Sequence, residues 1–480
     1  MKTLLIYLFV FIAPVASQEV TKIAAPLFEV IELYGPGHFG NSYEVSGRKE
    51  MYDLLSELKY WGFNRSSDWF DMDDCRDPFG KHNYGLSNAQ WQTKKTNYGS
   101  MQQIGLSSGF LITPNHVYID QCLPERAAVY GTRIQGQLVC PSKPEVKAMI
   151  LKNYENLFHD LKNSSVQLDN LIFCPYDNGG CACDQCHPWI VTFADLSYDI
   201  FMTAKKTFPD IRLHYVGWWW VAEEHTLFAE WFDTHAPNEI ETMFLYLQYG
   251  TVKTPDVILP KGAKRGAFVH IGYSDVVSPR DIYGHTGPVI AAKRLAKTVE
   301  ELKQQGVTAL MCYSEGIYED VNKALIGGLA SGQYDSAQEV LTAYAERYFG
   351  TNKEVSEKWA QWLEQWGSAY TVDTDILAKE LTDLLAETPA QSNNWRLEQW
   401  KWKLELFAVH KKIMDAGTVW TPERLEWADR FWDIQEKIHR SVWGIAPPRH
   451  IFARYSSPMP WYASWAQFQK QQHIKMLEQQ

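Results

Sequence analysis

The residues best equipped for chemistry in this 480-residue chain lie between Leu171 and His187. The segment opens on Leu171-Ile172-Phe173, an apolar run of strand formers, and stops at Asp177-Asn178-Gly179-Gly180, which breaks regular structure. That pattern describes a buried strand delivering a carboxylate to a loop. Four of the eight cysteines fall in the same stretch, at 174, 181, 183 and 186. Cys181, Cys183 and Cys186 are too close along the chain to cross-link comfortably with one another. Three thiolates need a fourth ligand, and Cys140 or Cys122 from the preceding loops would complete a closed tetrahedral site for a structural zinc ion. The competing outcome, favoured by export, is disulfides to Cys75, Cys122 or Cys140. A hydrolytic zinc would need an open, histidine-rich site that this pattern does not supply.

The elements that must hold these groups follow from hydrophobic patterning. Short apolar runs occur at 27–34, 63–70, 105–112, 168–176, 211–216, 241–247, 266–273 and 308–313. Amphipathic stretches at 48–61, 144–162, 191–208 and 289–305 separate them. Eight strands alternating with helices imply parallel strands joined by right-handed crossovers, and eight is the number at which such a sheet closes into a (β/α)8 TIM barrel. After residue 320 the strand-like runs stop. Helix-period segments at 321–331, 336–349, 354–370, 376–386, 395–414 and 422–443 predict an all-α C-terminal domain over 321–480 behind a barrel over 18–320. Tryptophans 359, 362, 366, 395, 400, 402, 420, 427, 432 and 443 belong to its packing, because most recur at helical spacing.

In such a barrel the active site lies at the C-terminal ends of the strands. Residues there include His38, Asp68, Asp71, His116, Asp177, Asn178, Trp218-Trp219-Trp220, Tyr246, Tyr273, Asp275, Tyr313 and Glu315. Asp177 follows the fourth run and Glu315 the eighth, so the two carboxylates face each other across the mouth, with Asp275 a third candidate beside Glu315. A pair of opposed carboxylates is the minimum equipment for glycoside hydrolysis, and entry from opposite walls favours the wider gap of roughly 6.5–9.5 Å used in inversion. Purely structural roles compete: Asp177 would accept from its own turn, and Glu315 would pair with an arginine such as Arg347. His38, Asp68, His116, Asn178, Trp218, Tyr246, Tyr273 and Tyr313 are the candidate substrate contacts. Strand alternation turns at least one of the three tryptophans toward the mouth, while two pack against helices.

Two phrases carry a resemblance: Pro175-Tyr-Asp-Asn-Gly-Gly-Cys-Ala-Cys-Asp-Gln-Cys186 and Tyr313-Ser-Glu-Gly-Ile-Tyr-Glu-Asp-Val-Asn-Lys323, the latter continuing through Ala330-Ser-Gly332 to Tyr344-Ala-Glu-Arg-Tyr-Phe349. Over roughly residues 140–350 the chain resembles exported bacterial glycoside hydrolases of the broad superfamily that holds hexosaminidases, α-glucuronidases and endo-β-N-acetylglucosaminidases, without matching one family. The resemblance implies a catalytic acid after the fourth strand and carboxylates after the last strands, which map onto Asp177, Asp275 and Glu315. Hexosaminidases place an Asp-Glu pair after the fourth strand. Here the pair is Asp177-Asn178, a departure from substrate-assisted chemistry.

Composition sets the outer limits. Aromatic residues make up 14%, with 20 Trp and 25 Tyr, which suits either a sugar-binding cleft or a large aromatic core. A net charge of −11 with no compensating basic run argues against a nucleic-acid partner. The apolar block from Leu4 to Val15 and the small residues before Gln18 predict a signal peptide over 1–17 and a periplasmic or secreted protein. The block is short for a membrane span, and no second one follows. The expected partner is an oligosaccharide or polysaccharide, with no cofactor for catalysis. A glycan-binding protein on the same barrel, and a hydrolase using a cysteine-bound metal, are the alternatives.

Overall fold

The computed structural model describes residues 26–37, 41–44, 46–80, 85–129, 138–175, 180–277, 287–368, 371–389 and 394–443. The expected signal peptide lies outside them. So do three candidate site residues, His38, Asp177 and Asn178.

Eight strands form one closed parallel barrel: β1 (Val30–Tyr34), β2 (Arg65–Trp69), β3 (Ser107–Ile112), β4 (Asn170–Phe173), β5 (Arg212–Gly217), β6 (Ile240–Tyr246), β7 (Lys264–His270) and β8 (Ala309–Tyr313). Each falls within or against one of the eight apolar runs, and β8 returns to pair with β1, setting Tyr313 beside Tyr34. The outer helices are α1 (Arg48–Tyr60), α2 (Gly85–Ile104), α3 (Pro144–Asn163), α4 (Trp189–Thr207), α5 (Ala222–His235), α6 (Ala292–Gln304) and α7 (Asp320–Ala330). The patterning did not reveal α2 or α5. In α2 the apolar residues are diluted by polar ones and two glycines, although Trp91, Tyr98 and Met101 still reach the core. The β6–β7 connection, 247–263, contains no helix.

Side chains two apart along each strand point to the same side of the sheet. The inward set begins with polar residues toward the N-terminal ends. There Arg65 Nη1 pairs with Glu32 Oε2 at 3.3 Å, and His214 Nε2 meets Asn170 Oδ1 at 3.0 Å, all fully buried. Burial raises the Glu32 carboxyl despite Arg65, and it holds His214 well below the usual imidazole range. The same rows then run through Leu111, Ile172, Val216, Phe244, Phe268 and Met311, and end in Tyr34, Trp69, Cys174, Trp218, Tyr246 and Tyr313. The barrel is filled, and its C-terminal mouth is floored by rings.

Beyond α7 come α8 (Ala337–Phe349), α9 (Lys353–Glu364), α10 (Thr374–Glu387), α11 (Trp395–Asp415) and α12 (Pro422–Trp443), with no strand among the described residues. Their starts are written locally. Ser336, Asn352, Asp373 and Asn394 each accept a backbone N–H of the first turn. Gly350 ends α8 in the left-handed region at φ 66°. Trp359, Trp362, Trp366 and Trp400 are buried against one another, as helical spacing implies. Every residue of α7 is buried, because it lies beside α1 and α6 and is covered by α8. No helix among the described residues is long and apolar enough to cross a membrane.

Candidate functional site

The half of the mouth built by β5 to β8 is aromatic. Trp218 is buried against Tyr246 at 4.5 Å between ring centroids, Phe268 at 5.2 Å and His270 at 5.4 Å. His270 in turn meets Tyr313 at 5.3 Å and Tyr249 at 4.4 Å, and Tyr249 meets Tyr273 at 4.9 Å. Burial and the nearby Arg294 guanidinium hold His270 well below the usual imidazole range, so it is neutral at physiological pH. The three consecutive tryptophans take three different environments. Trp218 faces inward, Trp220 packs on Phe193 and Phe228 of the helices, and Trp219 lies stacked on Trp218 at 5.4 Å and 22° while remaining 45% exposed. Only one of the three, rather than two, packs against helices. Trp219 also sits at φ 56°, where a bulky residue is strained.

Glu315, just past β8, stands at the edge of this wall. Its Oε1 accepts the Tyr313 hydroxyl at 2.5 Å, and its backbone N–H donates to Glu319 Oε1 at 3.3 Å. The loop beneath it is pinned from two elements. Tyr43 Oη lies 2.5 Å from Ser314 Oγ and donates to the Gly316 carbonyl at 3.1 Å, which Lys323 Nζ also reaches at 2.6 Å. Burial pushes Glu319 up to about 7, partly offset by Lys323, and lowers Lys323 to about 8. Arg347, the arginine named as an example partner for Glu315, is engaged instead by Glu57 at 2.9 Å.

The half built by β1 to β4 is ionic. Asp68 Oδ1 accepts from Lys94 Nζ at 2.6 Å, from Gly37 N at 3.1 Å and from Trp69 N at 2.7 Å, with both charged side chains nearly buried. Asp71 Oδ1 lies 2.6 Å from His116 Nδ1, a second buried pair. A cleft of about 80 Å³ opens beside Trp69, Asp71 and Lys94. Asp275, just past β7, is engaged by the backbone. Its Oδ1 accepts the Arg294 N–H at 2.8 Å in the first turn of α6, and its other oxygen lies against Gly367 so closely that a Cβ there would stand 2.3 Å from it. Burial raises the Asp275 carboxyl, opposed by these first-turn N–H groups.

Of the candidate residues, the fold gathers Trp218, Tyr246, Tyr273, Tyr313 and Glu315 on one side, places Asp68 and His116 in separate buried pairs on the other, and assigns Asp275 to a helix start. His270, Lys94 and Glu319 were missing from the expected set. His270 was detectable by parity, since it continues the inward row Gly266, Phe268. Taking the strand on to Tyr273 concealed that it ends at His270. Glu319 carried no signal, because its contact depends on how the turn after β8 folds back.

Beside the mouth, Cys140, Cys181, Cys183 and Cys186 converge, with all four Sγ atoms within 4.8 Å of one another. Cys140 Sγ lies 3.8 Å from both Cys183 Sγ and Cys186 Sγ. All eight cysteines are free thiols. Cys140, rather than Cys122, is the fourth member. The cluster has polar neighbours: Val129 N–H donates to Cys181 Sγ at 3.3 Å, and the Ser142 hydroxyl lies 2.9 Å from Cys140 Sγ. Burial raises the Cys183 thiol, but hydrogen bonding from Ser142 and the neighbouring thiols outweighs it and brings the group down to about 6. Such a set of four sulfurs could hold a metal ion.

No family model matches the chain. No curated protein matches it either. Solved structures that share the barrel architecture include CpGH84B, at 13% identity and a TM-score of 0.46 over 90% of this chain and 76% of that one. A GH138 enzyme targeting pectin rhamnogalacturonan II aligns at 10% identity and 0.41 over 91% and 56%. A GH20 catalytic module of the pneumococcal exo-β-D-N-acetylglucosaminidase StrH aligns at 9% and 0.42 over 75% and 96%.

Proposed function

We propose that the chain is an exported glycoside hydrolase that cleaves a complex glycan with two carboxylates, Glu315 and Asp177, by inversion. The observation that carries this reading is Glu315, aligned by the Tyr313 hydroxyl at the rim of an aromatic wall. An indole or phenol face matches the C–H face of a pyranose, so the wall would seat a sugar ring beside the carboxylate. The strand order supports the choice of partner: in a ring of eight, β4, the strand before Asp177, lies four places from β8. Opposed strands suit the gap of roughly 6.5–9.5 Å that leaves room for a water. Glu315, as the acceptor of a hydroxyl proton, takes the role of base; Asp177 is the acid.

Turnover of a panel of aryl glycosides and extracted glycans tests the reading. Glu315→Gln and Asp177→Asn should each lower turnover on the order of 10²-fold or more with the fold intact, and the first product seen by NMR should carry the inverted anomer. Wild-type rates in both variants on a true substrate defeat the assignment. Tight glycan binding with no turnover would make the protein a glycan-binding barrel instead.

For the cysteine cluster we propose a structural zinc ion. Four sulfurs about 2.3 Å from a tetrahedral zinc stand about 3.8 Å apart, the separation found for Cys140 from Cys183 and Cys186. The set has no open position for a substrate water.

A further inference from the structure

We infer that this metal centre is a clasp for the catalytic face: it ties the excursion after β3, on which His116 sits, to the loop after β4. The inference rests on the zinc reading above. Two short extended pieces, 126–129 and 138–140, run antiparallel as a small ribbon. Ala128 N–H donates to the Leu138 carbonyl at 3.0 Å and Cys140 N–H to the Arg126 carbonyl at 2.9 Å. One edge of that ribbon lies on the site. Leu138 bridges to His116, Val139 N–H donates to the Asn115 carbonyl at 3.3 Å, and the Asn115 amide returns to the Val139 carbonyl at 3.3 Å. The other edge lies on the cysteine loop, through Ala182 N–H to the Val129 carbonyl at 2.8 Å and Val129 N–H to Cys181 Sγ.

The path from the metal to His116 is therefore short: two residues of chain and one backbone bridge. Cys140 is a ligand, and Leu138, two residues earlier, is the backbone partner of His116. His116 Nδ1 in turn meets Asp71 at 2.6 Å. A ribbon held by so few backbone bonds has little stability of its own. A metal bonded to Cys140 at its open end and to the three thiolates of the next loop would supply what the ladder lacks, and the Val129 N–H onto Cys181 Sγ helps fix the set. The metal would thus set the Asp71–His116 geometry without touching a ligand, making His116 a positioned residue and the cysteines its positioning residues.

Metal analysis with hydrogen exchange on the full-length protein, before and after chelation and again after zinc is restored, tests both levels. We expect one zinc per chain, with four thiols becoming titratable on its removal. Amide protection at Val129, Val139, Cys140 and Ala182 should then fall on the order of tenfold or more, the His116 ring resonances should shift, and β6 and β7 should be unchanged. Zinc restoration should reverse each change, and Cys140→Ser should reproduce the metal-free pattern. Zinc present but removable with no change at these amides or at His116 overturns the clasp and leaves the metal site standing. A chain that holds no zinc and shows paired cysteines overturns both.

Discussion

The two halves of the barrel mouth are held by different forces. From β1 to β4 the polar groups meet in buried pairs, Asp68 with Lys94 and Asp71 with His116, and four thiols converge in the adjoining loops. From β5 to β8 the wall is rings packed on rings, and its carboxylate, Glu315, is half-buried beside a tyrosine hydroxyl. The contrast teaches that a carboxylate at a strand end is not thereby a reagent. Asp68 accepts from an ammonium and two backbone N–H groups and so holds the β1 loop at Gly37. Glu315 instead stands where a sugar ring seated on the wall would meet it.

The largest expected effect tests the ionic half. Lys94→Met leaves Asp68 buried without its counter-charge and should cost about 3–5 kcal/mol in urea unfolding; the double variant Lys94→Met/Asp68→Leu should recover much of that. A single variant within about 1 kcal/mol of wild type would show that the pair is no more than a surface contact.

Next comes the carboxylate behind the aromatic half. Glu319 is raised by burial from 4.5 to about 7, so the folded state holds its proton more tightly than the unfolded chain. Its contribution is full below pH 4.5 and is lost as pH rises toward about 7. The expected decline is on the order of 1–3 kcal/mol over that window. Glu319→Gln, which keeps an acceptor for the Glu315 N–H, should flatten this slope when unfolding midpoints are compared at the two ends. An unchanged slope would place the titration elsewhere.

A last pair of substitutions, ending in the smallest effect, separates packing from display among the tryptophans. Trp220→Ala removes a ring lodged on Phe193 and Phe228 and should cost about 2–3 kcal/mol. Trp219→Gly removes a more exposed ring and relieves a left-handed backbone, so thermal unfolding should register less than about 1 kcal/mol in either direction. Glycan affinity of the Trp219 variant, measured by calorimetry, should nevertheless drop. Equal destabilisation by both substitutions would erase the distinction.

Much of this was legible in the chain itself. Eight apolar runs of strand length alternating with helices pointed to a parallel sheet buried on both faces, and eight is the number at which such a sheet closes into a barrel. The end of strand-like runs after Tyr313 determined the helices that follow, and the spacing of Cys181, Cys183 and Cys186 determined that their thiols would gather. Inward parity likewise put Trp218 in the mouth. What the tertiary structure alone decided was which polar groups would meet. That Asp68 finds Lys94 from α2, that Asp275 holds a helix start against Gly367, that Glu319 folds back on Glu315 and that Cys140 closes the cluster all depend on side chains brought together across loops of unconstrained length. Hydrophobic periodicity records which face of an element is buried. It carries no record of the partner a charged group acquires there, because pairing energies act over a few ångströms in space and leave no period along the chain.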